Sequence, residues 1–352
     1  MATTSIPFLR PMTLGEVLDQ AIRLYRRNFV TFIGIIAIPY IPLTLIQTGL
    51  TYLSSSSMTS ILDSPSPTFS IPVGYWAGLA GIIVVGFFSI ILVSGLATAA
   101  LTRAIADNYT GQPVDILGSY GKTRSSWLSL LGALFLYLVL AVVLVIWTII
   151  PCIGWLTGPG LLAFLALVVV PLLAPVVVLE RLGAIEALRR AWDLGRSRFW
   201  WLLGFVFILT LLSQLIITGP VYLIEFIMRY VLASQINLQS QLIWTSVIQV
   251  FVQMVGGLLY LPLQLTAMTV VYFDLRVRSE GLDLALQAAA NAGAETNIVA
   301  LAETSPKPTG SLITGSEVGQ FIVLTLAFIA VYVILVTIIV AISLAVMSLF
   351  SF

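Results

Sequence analysis

LLAFLALVVVPLLAPVVVLERLGAIEALRRAWDLGRSRFWWLLGFVFILTLL, residues 161–212, decides the fold. Two long apolar runs flank a short segment that carries Arg181, Arg189, Arg190, Arg196 and Arg198. A bilayer core of about 30 Å takes roughly 20 helical residues, and only helices or closed barrels hide their backbone in it. Unbroken runs without alternation exclude a barrel, so the stretch reads as one span, an arginine-rich connection and a second span. Working outward, similar runs place seven spans near 29–53, 75–102, 127–150, 160–179, 199–227, 242–273 and 318–349. The composition agrees: of 352 residues 59% are hydrophobic and 9% charged, more apolar surface than a soluble globule can bury.

The positions of the basic residues orient the spans. Arg10, Arg23, Arg26 and Arg27 precede the first; Arg103, Lys122 and Arg124 follow the second; the five arginines above follow the fourth; Arg276, Arg278 and Lys307 follow the sixth. Arg229 alone falls on the other side, and the positive-inside rule then predicts a cytoplasmic N-terminus and an external C-terminus. The opposite connections, 54–74 and 151–159, contain no base. No removable signal peptide is expected, since the first 28 residues hold no continuous apolar core. The predicted location is a bacterial cytoplasmic membrane.

Function classes narrow quickly. Histidine is absent, which removes the commonest acid/base, metal ligand and axial ligand for haem or chlorophyll. The single cysteine, Cys152, permits no internal disulfide and reads as a small apolar filler at a helix end. A net charge of +1 gives no basic surface for nucleic acid. No phosphate-cradling loop, nucleophile arrangement or metal spacing occurs, so no enzyme activity and no cofactor are expected.

Three segments align without gaps ahead of the first, third and fifth spans: EVLDQAIRLYRRNFVTFIG (16–34), VDILGSYGKTRSSWLSLLG (114–132) and EALRRAWDLGRSRFWWLLG (186–204). Arg26, Arg124 and Arg196 coincide, as do Phe29, Trp127 and Phe199, then Ile22, Tyr120 and Trp192, then Gly34, Gly132 and Gly204. We read three copies of one unit: a cytoplasmic amphipathic helix, a span, an external turn and a returning span. Leu18, Ile22 and Tyr25 form an apolar stripe suited to the headgroup boundary. Arg26, Arg27, Arg124, Arg189, Arg190 and Arg196 are the candidate contacts for anionic lipid headgroups at the inner leaflet.

With VYFDLRVRSEGLDL (271–284) and NYTGQP (108–113), these segments resemble the membrane domain found with some bacterial glycerophosphodiester phosphodiesterases. The resemblance covers about residues 10–286 and implies a six-helix fold with cytoplasmic interfacial helices. It implies no hydrolysis, because the phosphodiesterase chemistry belongs to a separate catalytic barrel whose site depends on histidines. Residues 1–285 are thus expected to form a six-helix membrane domain. A cytoplasmic linker, 286–316, and an added seventh helix, 317–352, follow it.

Polar groups inside spans are functional candidates by default. Glu225 is expected to pair with Arg229 at i,i+4, and Gln214, Gln249, Gln253 and Gln264 to bond between helices. Glu180 with Arg181, and Asp274 with Arg276 and Arg278, stand at cytoplasmic span ends. They read as solvated boundary charges, with a salt-bridge latch to the surface helices as the sharper alternative. Small residues at Ala327, Ala330, Ala341 and Ala345 suit a close helix contact, either capping the bundle or facing another membrane subunit. A subunit or lipid-organising scaffold is the first reading. A transporter, motivated by Pro39, Pro42, Pro171, Pro175 and Pro262 within spans, is the alternative. An embedded lipid-modifying enzyme would require carboxylates to converge, and those in the sequence look scattered.

Overall fold

A computed structural model of the chain describes residues 10–63, 73–109, 112–227, 238–282, 284 and 314–349. Every regular element among them is helical. In chain order the helices are α1 (Leu14–Arg27), α2 (Phe29–Asp63), α3 (Val73–Tyr109), α4 (Ile116–Lys122), α5 (Trp127–Trp147), α6 (Ile153–Glu180), α7 (Ala184–Ser197), α8 (Phe199–Phe226), α9 (Leu238–Glu280) and α10 (Gly315–Leu349). Seven of them, all but α1, α4 and α7, are long and apolar enough to cross a membrane, as in a multi-pass membrane protein. The expected linker and Arg229 fall largely or wholly outside the described residues.

Burial ranks the spans. In their most apolar windows 61% of α6 and 56% of the crossing part of α9 are buried, against 6% of α3, so α6 and α9 form the axis and the apolar part of α3 an outer wall, while its end from Ala97 to Tyr109 packs into the core. The prolines do not end their helices. Pro39 and Pro42 lie within α2 and Pro262 within α9. Pro171 stands two residues past the end of a π-turn, Leu165–Val169, where the widened backbone tolerates a residue without an N–H.

Each aligned surface segment is a helix that breaks immediately before a span: at Asn28, over 123–126 and at Arg198. The start of α1 is encoded locally. Thr13 accepts from the Glu16 N–H while the Glu16 carboxylate accepts from the Thr13 N–H at 2.7 Å, a complete capping box. These bonds, the one from the Thr13 backbone foremost, hold the Glu16 carboxyl below its ordinary value. Thr13→Ala is expected to lower stability by about 1 kcal/mol, read as a reduced melting temperature in detergent.

The aligned glycines explain how two surface helices are seated. A Cβ at Gly34 would come within 2.8 Å of Ile116, the first residue of α4, and one at Gly132 within 3.1 Å of Ala184, the first residue of α7. Gly204 meets nothing within 4 Å, so this contact is made in two of the three segments. Beside Gly34, the Tyr120 hydroxyl donates to the Ile35 carbonyl at 2.5 Å. Pro39, four residues on, has no N–H to give that carbonyl, so the surface helix supplies the missing donor. Burial pushes the Tyr120 phenol up to about 12, as it does Tyr25, whose hydroxyl donates to the Leu259 carbonyl of α9 at 3.0 Å. Both therefore stay donors at neutral pH. Their contribution is intact below the unfolded value near 10 and fades as pH rises through about 12. Tyr120→Phe should cost about 1 kcal/mol in the native chain and little in a Pro39→Ala background, where the substituted residue brings its own helical N–H; chemical denaturation of all four proteins measures the coupling.

Two expectations change. The buried face of α1 is Val17, Ala21, Leu24 and Tyr25, turned onto α9, while Ile22 is 41% exposed; the stripe predicted for the headgroups is displaced by about one residue because the bundle claims the better-packed side. Cys152 fills no gap: it is exposed, with a positive φ of 65° at the start of α6 in the tight turn after α5.

α10 lies against α6. The Gly160 N–H donates to the Thr325 hydroxyl at 2.8 Å, and a Cβ at Gly160 would overlap the Phe321 carbonyl oxygen. Phe321 joins Phe164, Trp192 and Phe199, its ring 5.8 Å from each, in an aromatic cluster that ties α10 to α6, α7 and α8. Beyond Thr325 the described side chains, which run as far as Ala341, are exposed, Ala327 and Ala330 among them. The first part of α10 caps the bundle through a glycine of α6 rather than through its own small residues.

Candidate functional site

The charges of the basic end meet in the interior. Glu180, at the last turn of α6, has a fully buried side chain that accepts from Arg190 of α7 at 3.0 Å and from the Tyr272 hydroxyl of α9 at 2.8 Å. Arg276 donates to Tyr272 at 3.1 Å and to Glu280 at 2.8 Å, and Arg190 also pairs with Glu280. Tyr272, Arg276 and Glu280 follow one another at intervals of four, which stacks them on one face of α9. Two carboxylates and two guanidiniums thus close a neutral network that fastens α7 to both axial helices. Such a network is expensive to form and more expensive to break, because removing one member strands a buried charge.

Smaller latches surround it. Asp274, fully buried, accepts from the Met12 N–H at 2.7 Å and from Arg278 at 2.9 Å, with Arg198 at 3.5 Å, tying the chain ahead of α1 to α9 and to the α7–α8 junction. Burial, with Arg278 nearby, lowers the Arg198 pKa from its usual range. Asp107 of α3 receives Arg103 at 3.0 Å and Lys122 of α4 at 2.7 Å. Arg196 pairs with Asp193 at 2.9 Å and with Glu317 of α10 at 3.4 Å.

The expected boundary charges are therefore corrected: Glu180 and Asp274 are latch residues, because the surface helices pack over them and exclude solvent. The six candidate arginines divide. Arg26, Arg27 and Arg124 are exposed, and Arg189 is half-buried. Arg190 is a buried ion-pair member, closed off from a headgroup, and Arg196, partly exposed, pairs with two carboxylates. Arg190 was legible as interior: it lies in register with Ala187, Ala191 and Leu194 on the packed face of α7. The carboxylates are also less scattered than expected, since Glu180 and Glu280 converge. Both are paired with guanidiniums of the network. Among the described residues no group of three or more Cys, Asp or Glu is placed to hold a metal.

The polar groups of the spans behave differently. Glu225 is half-buried near the far end of α8, and its expected partner Arg229 lies outside the described residues. Gln214 begins the π-turn of α8 and is exposed. Gln249 and Gln264 are half-buried, while Gln253 is exposed and lines a groove of about 600 Å³ between α2 and α9, with Tyr40, Thr44, Gln47 and Thr48. Thr44 and Thr48 give their hydroxyl protons to carbonyls of α2, at 2.7 and 2.8 Å.

A second groove, about 380 Å³ and almost wholly apolar, lies between α5, α6 and α7. Its wall includes Leu140, Leu144 and Leu161, together with Arg189 and Trp192 of α7. Of its lining, sequence reading singled out Arg189 and Trp192 but neither the leucines nor the space, which exists only because α7 crosses over two spans.

No family model matches the chain, and no curated protein or solved structure matches it either.

Proposed function

We propose that the chain is a non-enzymatic protein of a bacterial cytoplasmic membrane, with its N-terminus and surface helices inside and its C-terminus outside, that organises the lipid and membrane subunits around it. Kinship with the membrane domain of glycerophosphodiester phosphodiesterases belongs to the same reading. One observation carries it: inside the bundle arginines and carboxylates neutralise one another, whereas Arg26, Arg27 and Arg124 stand exposed on the same end. A surface of that kind holds anionic headgroups, at about 1 kcal/mol per arginine. The test is native mass spectrometry after mild extraction. The triple variant Arg26→Gln, Arg27→Gln, Arg124→Gln should retain several-fold less anionic lipid than the native chain. A native chain recovered only as a bare monomer, without lipid or protein partners, contradicts the proposal.

A second reading rests on the groove between α2 and α9. Its amides, Gln47 and Gln253, are exposed beside the Pro39–Pro42 segment of α2 in spans that lipid would surround. A transported polar or lipid species would satisfy them. Gln253→Leu should then abolish flux of that species in reconstituted vesicles, and unchanged flux removes this reading.

A further inference from the structure

We infer that the groove between α5, α6 and α7 is a binding site for one diacyl phospholipid with an anionic headgroup, one acyl chain lying in the groove and the phosphate on Arg189. The argument begins with α7. Ile185, Leu188, Arg189 and Trp192 are spaced i, i+3, i+4 and i+7, which puts them on one face, and all four line the groove. The other face, with Ala187, Arg190, Ala191 and Leu194, is buried in the bundle. The helix therefore has two packed sides, one on protein and one over an open apolar channel floored by leucines of α5 and α6.

Such a channel does not hold water, since an apolar cavity offers none of the two to four partners a water molecule needs. Hydrocarbon fits it. An acyl chain alone would not account for Arg189, a charged residue that lines this apolar groove from a helix at the basic end of the bundle. Its five donors suit phosphate, which it engages in bidentate fashion even while it serves another partner. The site is also held in shape before any lipid arrives. Ala184 is seated against Gly132, and Arg190, adjacent to Arg189, is fixed to Glu180 and Glu280. Preorganisation of this kind favours one retained lipid over loose annular contact.

The site is separate from the exposed arginines of the preceding proposal, so the two fail independently. The experiment uses the purified full chain in mild detergent, with native mass spectrometry for retained lipid and thermal shift for added probes: phosphatidylglycerol, phosphatidylcholine and inorganic phosphate. Beyond any lipid held by the exposed arginines, the native chain should retain one phospholipid in the groove and be stabilised more by phosphatidylglycerol than by phosphatidylcholine, with no shift from phosphate alone. Arg189→Gln should keep the bound lipid but lose its preference for the anionic one by about fivefold. Leu140→Trp fills the channel and should lose the lipid outright. Leu188→Trp does the same from the α7 side and serves where Leu140→Trp folds poorly. The Arg26→Gln, Arg27→Gln pair should leave the single lipid in place. An unchanged lipid count in both tryptophan variants, an unchanged headgroup preference in Arg189→Gln, or a full shift from phosphate alone overturns the inference.

Discussion

Replacing Glu180 by alanine is expected to cost about 3–5 kcal/mol, the largest effect of any single change in the chain. The carboxylate is fully buried and holds both Arg190 and the Tyr272 hydroxyl, with Arg276 3.8 Å away. Its removal leaves two guanidiniums facing one remaining carboxylate, Glu280, in a buried site that solvates the surplus charge poorly. The consequence is mechanical as well as energetic, because the network fastens α7 to α6 and α9. Glu180→Ala should therefore loosen α7, seen as faster hydrogen exchange across residues 184–197 and a large fall in melting temperature. Glu180→Gln keeps the shape and loses the charge, and should fall between the two. Removing the cation together with the anion, as Glu180→Leu with Arg190→Leu, should recover much of the loss, since the pair is neutral as a unit. Equal melting temperatures for the native and Glu180→Ala proteins would mean that the network is not closed.

Gly160→Leu is expected to detach α10. At this position the backbone of α6 meets the Phe321 carbonyl and the Thr325 hydroxyl, the latter 2.7 Å from where a Cβ would stand. The Phe321 carbonyl is backbone and cannot turn aside, so a leucine is accommodated only if the helices part, with loss of the Gly160–Thr325 bond and the contacts of Phe321. Overpacking of this sort costs about 1–3 kcal/mol or more. With a specific protease site inserted at residue 300, the C-terminal fragment of the native chain should co-purify after cleavage. In Gly160→Leu it should separate. Co-purification in both would place the α10 contact elsewhere.

Particular residues show how far the sequence could be read. The seven long apolar helices were visible because their length and composition are set by lipid, which acts on every residue of a span alike. The breaks before α2, α5 and α8 followed from the switch between amphipathic and uniformly apolar spacing. Register between helices was not visible. Glu180 and Arg276 are nearly a hundred residues apart, and only the crossing of α6 and α9 brings them together. Ile22 and Val17 both fit an apolar stripe on α1, and the choice between them was made by α9, which the stripe cannot see. The hint at Arg190, a charge in register with Ala187 and Ala191, was outweighed by the expectation that arginines at a membrane surface face headgroups. The leucine-lined groove left no local signal, since a leucine facing a channel and one facing lipid read alike.

The central claim is that the ion-paired, arginine-bearing end of the bundle lies inside the cell. Cys152, the sole cysteine of the chain, is exposed at the opposite end, between α5 and α6, and Ser125 is exposed at the basic end, between α4 and α5. A membrane-impermeant maleimide applied to intact cells should label the native chain at Cys152. It should leave a Cys152→Ser, Ser125→Cys chain unlabelled until the membrane is opened. Labelling of position 125 from outside, with Cys152 protected, would contradict the account.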